Sequence, residues 1–350
     1  MKVKPEELKR LMMNKFTGAG MREDHAAMMA DILVWSDYKG IHSHGAVRVE
    51  YYTERIAKGG MNVNPQFSLS VTGPCTAVFE GDNGCGYVAA TLAMRHAIDM
   101  AKKNGVGIVG IRNISHSGSI GYYSEMAAKE NLVSINMCQS DPMVVPYGGT
   151  EPFYGTNPIA FGAPTADERM VIFDMATTVQ AWGKILVARS KKEPIPDTWA
   201  VDEDGKPTTD STRVNALVPI AGPKGYGLMM MVDVLSGIML GVPFGRHVSS
   251  MYEDLSKGRC LGHIHIVIDP ARFVPIGEFK RDMSMVLDEL AQVKPAPGFD
   301  KVYYPGERGL QRKKRYEEDG GIEIVDDIYQ YLISSDLHYD HYDHKNKFAE

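Results

Sequence analysis

Between Thr76 and Asp174 short β-branched runs alternate with helical ones, and that alternation constrains the fold more than any other feature. Thr76 to Glu80, Val106 to Ile111, Leu132 to Met137, Ile159 to Ala163 and Val171 to Asp174 have the length and composition of strands. Tyr87 to Lys103 and Tyr122 to Glu130 have helical spacing. Strands separated by helices imply a β-sheet flanked by helices, a mixed α and β class.

Within this region Gly105-Val106-Gly107-Ile108-Val109-Gly110 satisfies the pattern GxGxxG. That dinucleotide fingerprint has to follow a strand and open a helix, so that free N–H groups meet a pyrophosphate. Here the glycines lie inside the strand-like run and the helix precedes them, so the motif is rejected. Any dinucleotide site in this chain is therefore non-Rossmann.

The flanks read differently. Pro5 starts a helix, Asp24 is the expected N-cap ahead of Ala26 to Tyr38, Gly40 stops that helix, and Val47 to Lys58 ends at Gly59-Gly60. Helices are also expected over Val179 to Ser190, Tyr226 to Leu240, Gly277 to Leu290 and Ile324 to Leu337, the last two packing back on the N-terminal helices. A chain of 350 residues is long enough for two domains. The expected division is a helical domain from 1–70 with 275–350 and an α/β domain over 71–274, with a cleft between them.

Composition narrows the function. The formal net charge of -6 leaves no domain-wide basic surface for nucleic acid, and the run Arg312 to Arg315, followed by acids, reads as a solvated segment. Cysteines 75, 85, 138 and 260 form no CxxC pair, and no apolar leader opens the chain, which fits a reducing cytoplasm. Leu228 to Val242 is apolar, yet it is short and interrupted by Asp233 and Ser236, so a buried core helix is expected rather than a membrane span. His263 and His265 alternate with isoleucines and read as outward-facing strand residues. His338, His341 and His344 fall in an acidic terminal tract where disorder is expected and no metal site is assigned.

Acid-base residues gather in two places. A helix starting near Gly45 would put His44, Arg48 and Tyr52 at i, i+4 and i+8 on one face, beside Ser43. His116, in Ser115-His116-Ser117-Gly118, follows a strand and sits in a loop. Four polar junctions add to these: Ser140-Asp141-Pro142, Gly155-Thr156-Asn157-Pro158, Asp174-Met175-Ala176-Thr177-Thr178 and Gly222-Pro223-Lys224-Gly225. A lysine among glycines at a helix start is suited to phosphate.

Together Ile41-His42-Ser43-His44-Gly45, Ser115-His116-Ser117-Gly118 and the last three junctions resemble the malate/L-lactate dehydrogenase-2 oxidoreductase family, over essentially the whole chain. Three longer runs, Met137 to Pro146, Asp174 to Lys184 and Gly321 to Leu332, resemble its ureidoglycolate-oxidising members. The resemblance implies a non-Rossmann NAD-binding sheet and NAD-dependent oxidation of (S)-ureidoglycolate to oxalurate in allantoin catabolism, by a cytoplasmic homo-oligomer, a dimer or higher. It carries cofactor contacts to Ser140, Asp174, Met175, Ala176 and Lys224 and, in the late loop Pro305-Gly306-Glu307, to Gly306 and Glu307.

Oxidising a 2-hydroxy acid needs a base for the hydroxyl proton, and a neutral imidazole serves at neutral pH. His116 is the expected base, with His44 as second candidate and Asp141 orienting the imidazole or binding ureido N–H groups. Arg48 is expected to hold the carboxylate through its two-pronged guanidinium, with Ser43 and Tyr52 completing the pocket. The same constellation would serve a malate, lactate or sulfolactate dehydrogenase or an imino-acid reductase. From another class, His42, His44, His116 and Asp141 would be ligands of a hydrolytic metal site, although no HExxH spacing exists.

Overall fold

The computed structural model describes residues 1–344. Its strands are β1 (Lys2–Val3), β2 (Ser68–Gly73), β3 (Thr76–Glu80), β4 (Val106–Ile114), β5 (Val133–Cys138), β6 (Ile159–Pro164), β7 (Met170–Met175), β8 (Ala200–Val201), β9 (Ala216–Leu217), β10 (Leu261–Ile268) and β11 (Ile322–Glu323). Its α-helices are α1 (Pro5–Gly18), α2 (Glu23–Tyr38), α3 (Val49–Ala57), α4 (Gly86–Asn104), α5 (Gly121–Lys129), α6 (Trp182–Lys191), α7 (Pro223–Ser236), α8 (Ile276–Gln292), α9 (Glu307–Glu318) and α10 (Asp326–Ile333).

Seven strands form one sheet in the order β2-β3-β4-β10-β5-β6-β7. The pair β3 and β4, joined through α4, is parallel, and the other neighbours are antiparallel. It follows that β3, β4, β5 and β7 all end, and β6 and β10 both begin, at the same edge of the sheet. Every loop carrying a candidate residue from the central strands opens there.

Both faces of the sheet are covered. Helices α4 and α5 pack on one face, while α7 and the turn at 238–240 pack on the other. The three glycines of the rejected fingerprint serve this packing. Gly105 ends α4 in the left-handed region (φ 91°), a Cβ on Gly107 would overlap the Ala97 carbonyl of α4, and one on Gly110 would overlap Leu240.

Double coverage also corrects the expectation for His263 and His265, which are fully buried under α4 and α5 rather than outward-facing. His263 Nδ1 lies 3.0 Å from Ser117 Oγ, and His265 reaches Asn136 Oδ1 at 2.7 Å and the Ala90 carbonyl at 3.0 Å. Period-two alternation signals a wet face only where nothing covers it. The converse correction applies to α7. Met229 and Val232 are buried, but Met230, Met231 and Val234 are exposed, so the expected core helix has an apolar outer face. Among the described residues no helix is long and apolar enough to cross a membrane.

Two local expectations are corrected. Arg22, not Asp24, is the N-cap of α2; Asp24 sits in the first turn, where its carboxylate pairs with Arg22 at 2.9 Å. The segment after Gly306, expected as a loop, is α9, with Arg312, Lys314 and Arg315 on its solvated side and Tyr316 buried.

The first strand and the last described helix meet. Strand β1 pairs with β11, and Lys15 of α1 donates to the Ser334 carbonyl at 3.0 Å beyond α10, the return expected of the last helix; α8, expected there too, is instead tied to the turn after β6, where Arg169 reaches Asp288 at 2.7 Å and Ala166 N donates to Ser284 Oγ at 3.0 Å. Residues 338–344, expected to be disordered, instead pack across α3.

Candidate active site

His116 lies in the loop after β4. Its backbone is fixed by close approaches that only glycine permits: a Cβ on Gly86, at the start of α4, would overlap the Ser115 carbonyl, and one on Gly118 (φ 73°) would overlap the Tyr87 ring. Tyr52 Oη lies 2.7 Å from His116 Nδ1 and 2.9 Å from Tyr87 Oη. The His44 ring sits 5.7 Å from that of His116.

Burial sets the protonation states. Desolvation holds the His116 imidazole well below its ordinary value, and the neighbouring His44, Arg48 and Arg259 charges push the same way. Desolvation followed by the Arg48 charge lowers His44 to about 3. Burial also raises the Tyr52 and Tyr87 phenols. At neutral pH the cluster therefore consists of neutral imidazoles and neutral phenols beside a guanidinium.

His44, Arg48 and Tyr52 do come together, although not on one continuous helix. Two short 3₁₀ turns, at His42–His44 and Ala46–Arg48, precede α3. The break has a cause in Asp37, whose buried carboxylate fills the space a Cβ at Gly45 would need and accepts the Ala46 N–H at 2.8 Å. Arg48 Nε donates to the Ser43 carbonyl at 2.7 Å and Nη1 to Tyr252 Oη at 2.6 Å, which leaves the Nη2 end for a ligand. Burial opposes the Arg48 charge, which the Tyr252 hydroxyl stabilises by accepting a hydrogen bond.

Two expected partners are elsewhere. Asp141 does not reach His116: its carboxylate accepts Arg259 Nη2 at 2.6 Å and the Met251 N–H, because the segment leading into β10 folds over it. Nδ1 of His116 is held by Tyr52 instead. His42 turns away to Asp37 at 2.9 Å and toward Tyr316 at 3.4 Å, so the hydrolytic metal reading lacks support; no metal-holding group of His, Cys, Asp and Glu occurs among the described residues. The site also contains Tyr87, Tyr252 and Arg259, which carried no motif; only the strand order brings the 249–260 segment beside α3.

The polar junctions are stitched into one row. Ser140 Oγ lies 3.0 Å from Thr156 Oγ1, Thr177 N donates to the Thr156 carbonyl at 2.8 Å, and Ile220 N donates to the Thr177 carbonyl at 2.9 Å. Asn157 Nδ2 ties the row to α7 through the Met229 carbonyl at 3.2 Å. Lys224 stands exposed in the first turn of α7, after Ala221 (φ 52°) and Gly222 (φ 58°) turn the chain. Asp174, next to last in β7, stands before half-buried Met175 and Ala176 and accepts Gly121 N at 2.8 Å at the start of α5; burial raises its carboxyl to about 6.

Pro305 accepts Ile172 N at 3.1 Å and thus lays Gly306 (φ 98°) against β7. Glu307 is turned into its own loop, paired with Lys301 and accepting Gln311 Nε2 at 3.1 Å. The row and the base share one edge: Ser117 touches the Cys138 thiol, two residues before Ser140.

A cation at a helix start and a carboxylate near one edge of the sheet are groups able to hold the phosphates and ribose of a nucleotide. Comparison with known proteins shows the family. The ureidoglycolate dehydrogenase (NAD(+)) of Escherichia coli strain K12 is 57% identical over 351 residues, covering all of both chains. The malate dehydrogenase of Pyrococcus horikoshii is 39% identical over 319 residues, 88% of each chain. The solved sulfolactate dehydrogenase of Methanocaldococcus jannaschii superposes with a TM-score of 0.88 at 38% identity, covering 95% of each chain. The malate/L-lactate dehydrogenase family model matches residues 3–333, and the chain belongs to that family.

Proposed function

We propose that the chain is an NAD-dependent dehydrogenase that oxidises ureidoglycolate to oxalurate, in allantoin breakdown. The observation that carries the reading is the neutral His116 imidazole beside the Arg48 guanidinium, in a chain 57% identical over its full length to a protein of that activity. Ser140, Asp174, Met175, Ala176, Lys224 and the Gly306-Glu307 turn would hold NAD, between a helical part made of 1–70 with 275–350 and the sheet part 71–274. NAD supplies the hydride acceptor. The Asp174 carboxylate would repel a 2′-phosphate and so favour NAD over NADP.

For His116 to accept a proton at Nε2, its Nδ1 must carry hydrogen and donate to Tyr52 Oη, whose own proton then goes to Tyr87 Oη. Arg48 holds the substrate carboxylate, and that negative charge offsets the cations that depress the imidazole, so basicity rises when substrate is in place. The hydroxyl proton passes to His116 as hydride leaves the same carbon. Asp141 acts through Arg259 by fixing the wall of the pocket. The four cysteines are free, which suits a reducing cytoplasm, and the exposed face of Met230, Met231, Val234, Ile238 and Met239 is where two copies would meet.

The test is NADH formation by purified protein with ureidoglycolate, malate, lactate and sulfolactate side by side. The highest kcat/KM should belong to ureidoglycolate; a higher value for one of the others would reassign the substrate.

A further inference from the structure

The terminal tract that the acid-base chemistry leaves unused lies across α3 and reaches the substrate pocket. Glu54, fully buried on α3, accepts the backbone N–H groups of Tyr342 and Asp343, each at 3.0 Å. Lys58, one turn on, pairs with Glu54 at 3.1 Å, Asp340 at 3.0 Å and Asp343 at 3.2 Å. From this anchor two contacts run to the pocket wall. Asp343 Oδ1 accepts the Leu255 N–H at 2.9 Å, and the Tyr342 ring stacks on Tyr252 with centroids 6.0 Å apart and planes 23° apart. Tyr51 stands edge-on to both rings, at 5.4 Å from Tyr252 and 5.7 Å from Tyr342.

Tyr252 belongs to no helix or strand, so its position depends on these side-chain contacts. Its hydroxyl accepts from Arg48 Nη1 at 2.6 Å. We propose that residues 338–344 form a strap that positions Tyr252, and through it the Arg48 guanidinium, for the substrate carboxylate, with Tyr342 as the positioning residue. The proposal rests on the assignment of Arg48 to that carboxylate. A guanidinium must keep a fixed direction to meet a carboxylate with two parallel hydrogen bonds, and a long side chain beside a mobile wall loses that direction.

The test uses the full chain with Tyr342→Ala, Tyr342→Phe, Tyr252→Phe and the double variant Tyr252→Phe/Tyr342→Ala, assayed with ureidoglycolate and NAD, with melting curves to confirm folding. Tyr342→Ala should raise KM for ureidoglycolate about three- to ten-fold, with kcat and NADH affinity nearly unchanged, and Tyr342→Phe should restore it. In the Tyr252→Phe background the alanine change should add no further rise, because the route to Arg48 is already cut. An unchanged KM in folded Tyr342→Ala, or an equal rise in both backgrounds, overturns the strap. If Tyr342→Ala does not fold, Asp343→Asn, which weakens the Leu255 contact, must show the same KM-only effect or the strap is overturned. Arg48→Lys separates the two readings: no change in KM there removes the carboxylate assignment, whereas a rise there without one in Tyr342→Ala removes the strap alone.

Discussion

Tyr52 Oη lies 2.7 Å from His116 Nδ1 and 2.9 Å from Tyr87 Oη, so a buried phenol backed by a second one holds one ring nitrogen of the proposed base. The arrangement anchors the ring without placing a negative charge behind it, and in the proposed reaction Nδ1 is the donor to Tyr52. Tyr52→Phe should therefore lower kcat about ten- to hundred-fold while NADH affinity stays the same, and His116→Ala should lose about a hundred- to ten-thousand-fold. Steady-state kinetics with NADH fluorescence titration checks both. A Tyr52→Phe enzyme with wild-type kcat would remove the phenol from the relay.

Lys224 and Gly107 should separate cofactor binding from packing. Lys224→Ala removes a cation from the start of α7 and should weaken NADH binding about ten- to hundred-fold. Gly107→Ala forces a Cβ against the Ala97 carbonyl and should cost about 1–3 kcal/mol of stability without changing NADH affinity. Affinity lost only in the glycine variant would restore the fingerprint rejected on its context.

Asp141→Asn tests whether that carboxylate serves Arg259 rather than His116. The substitution leaves a buried guanidinium without its counter-charge, at a cost of about 3 kcal/mol. Melting temperature should fall while the pH profile of turnover keeps its shape. A shifted profile in a variant of unchanged stability would return Asp141 to the base.

Asp174 should trade stability for cofactor binding. Burial raises its carboxyl to about 6 from an unfolded value of 3.8, so the folded state holds the proton more tightly and this contribution fades as pH rises through 6. Asp174→Asn stays neutral and keeps an acceptor for Gly121 N. It should be more stable than the native protein by about 1–2 kcal/mol above pH 6, with the gain shrinking toward pH 4, yet bind NADH less tightly. Denaturant melts at pH 8 and pH 4.5 decide it; an equal difference at both would show that Asp174 ionises freely.

The mixed α and β class, the placing of most strands and helices, and the rejection of the fingerprint at Gly105, Gly107 and Gly110 were all legible in the order of the residues. These are local properties: β-branched runs, helical spacing and glycine context act over a few residues. The sequence also singled out His44, Arg48, Tyr52 and His116, because an acid-base cluster is written in unusual residue types. The partners of these residues became visible only in the folded chain. Asp141 and Arg259 lie 118 residues apart, and His116 and Tyr52 lie 64 apart, so no local pattern links them; the order β4-β10-β5 brings the loops of His116, Asp141 and Arg259 to one edge, and α3 packed there brings Tyr52. The burial of His263 and His265 was likewise hidden, since alternation along a strand does not report whether a helix from elsewhere covers its second face. Tyr342 took its role in the same way, from a tail whose composition signalled disorder until the buried carboxylate of Glu54 gave its backbone a partner.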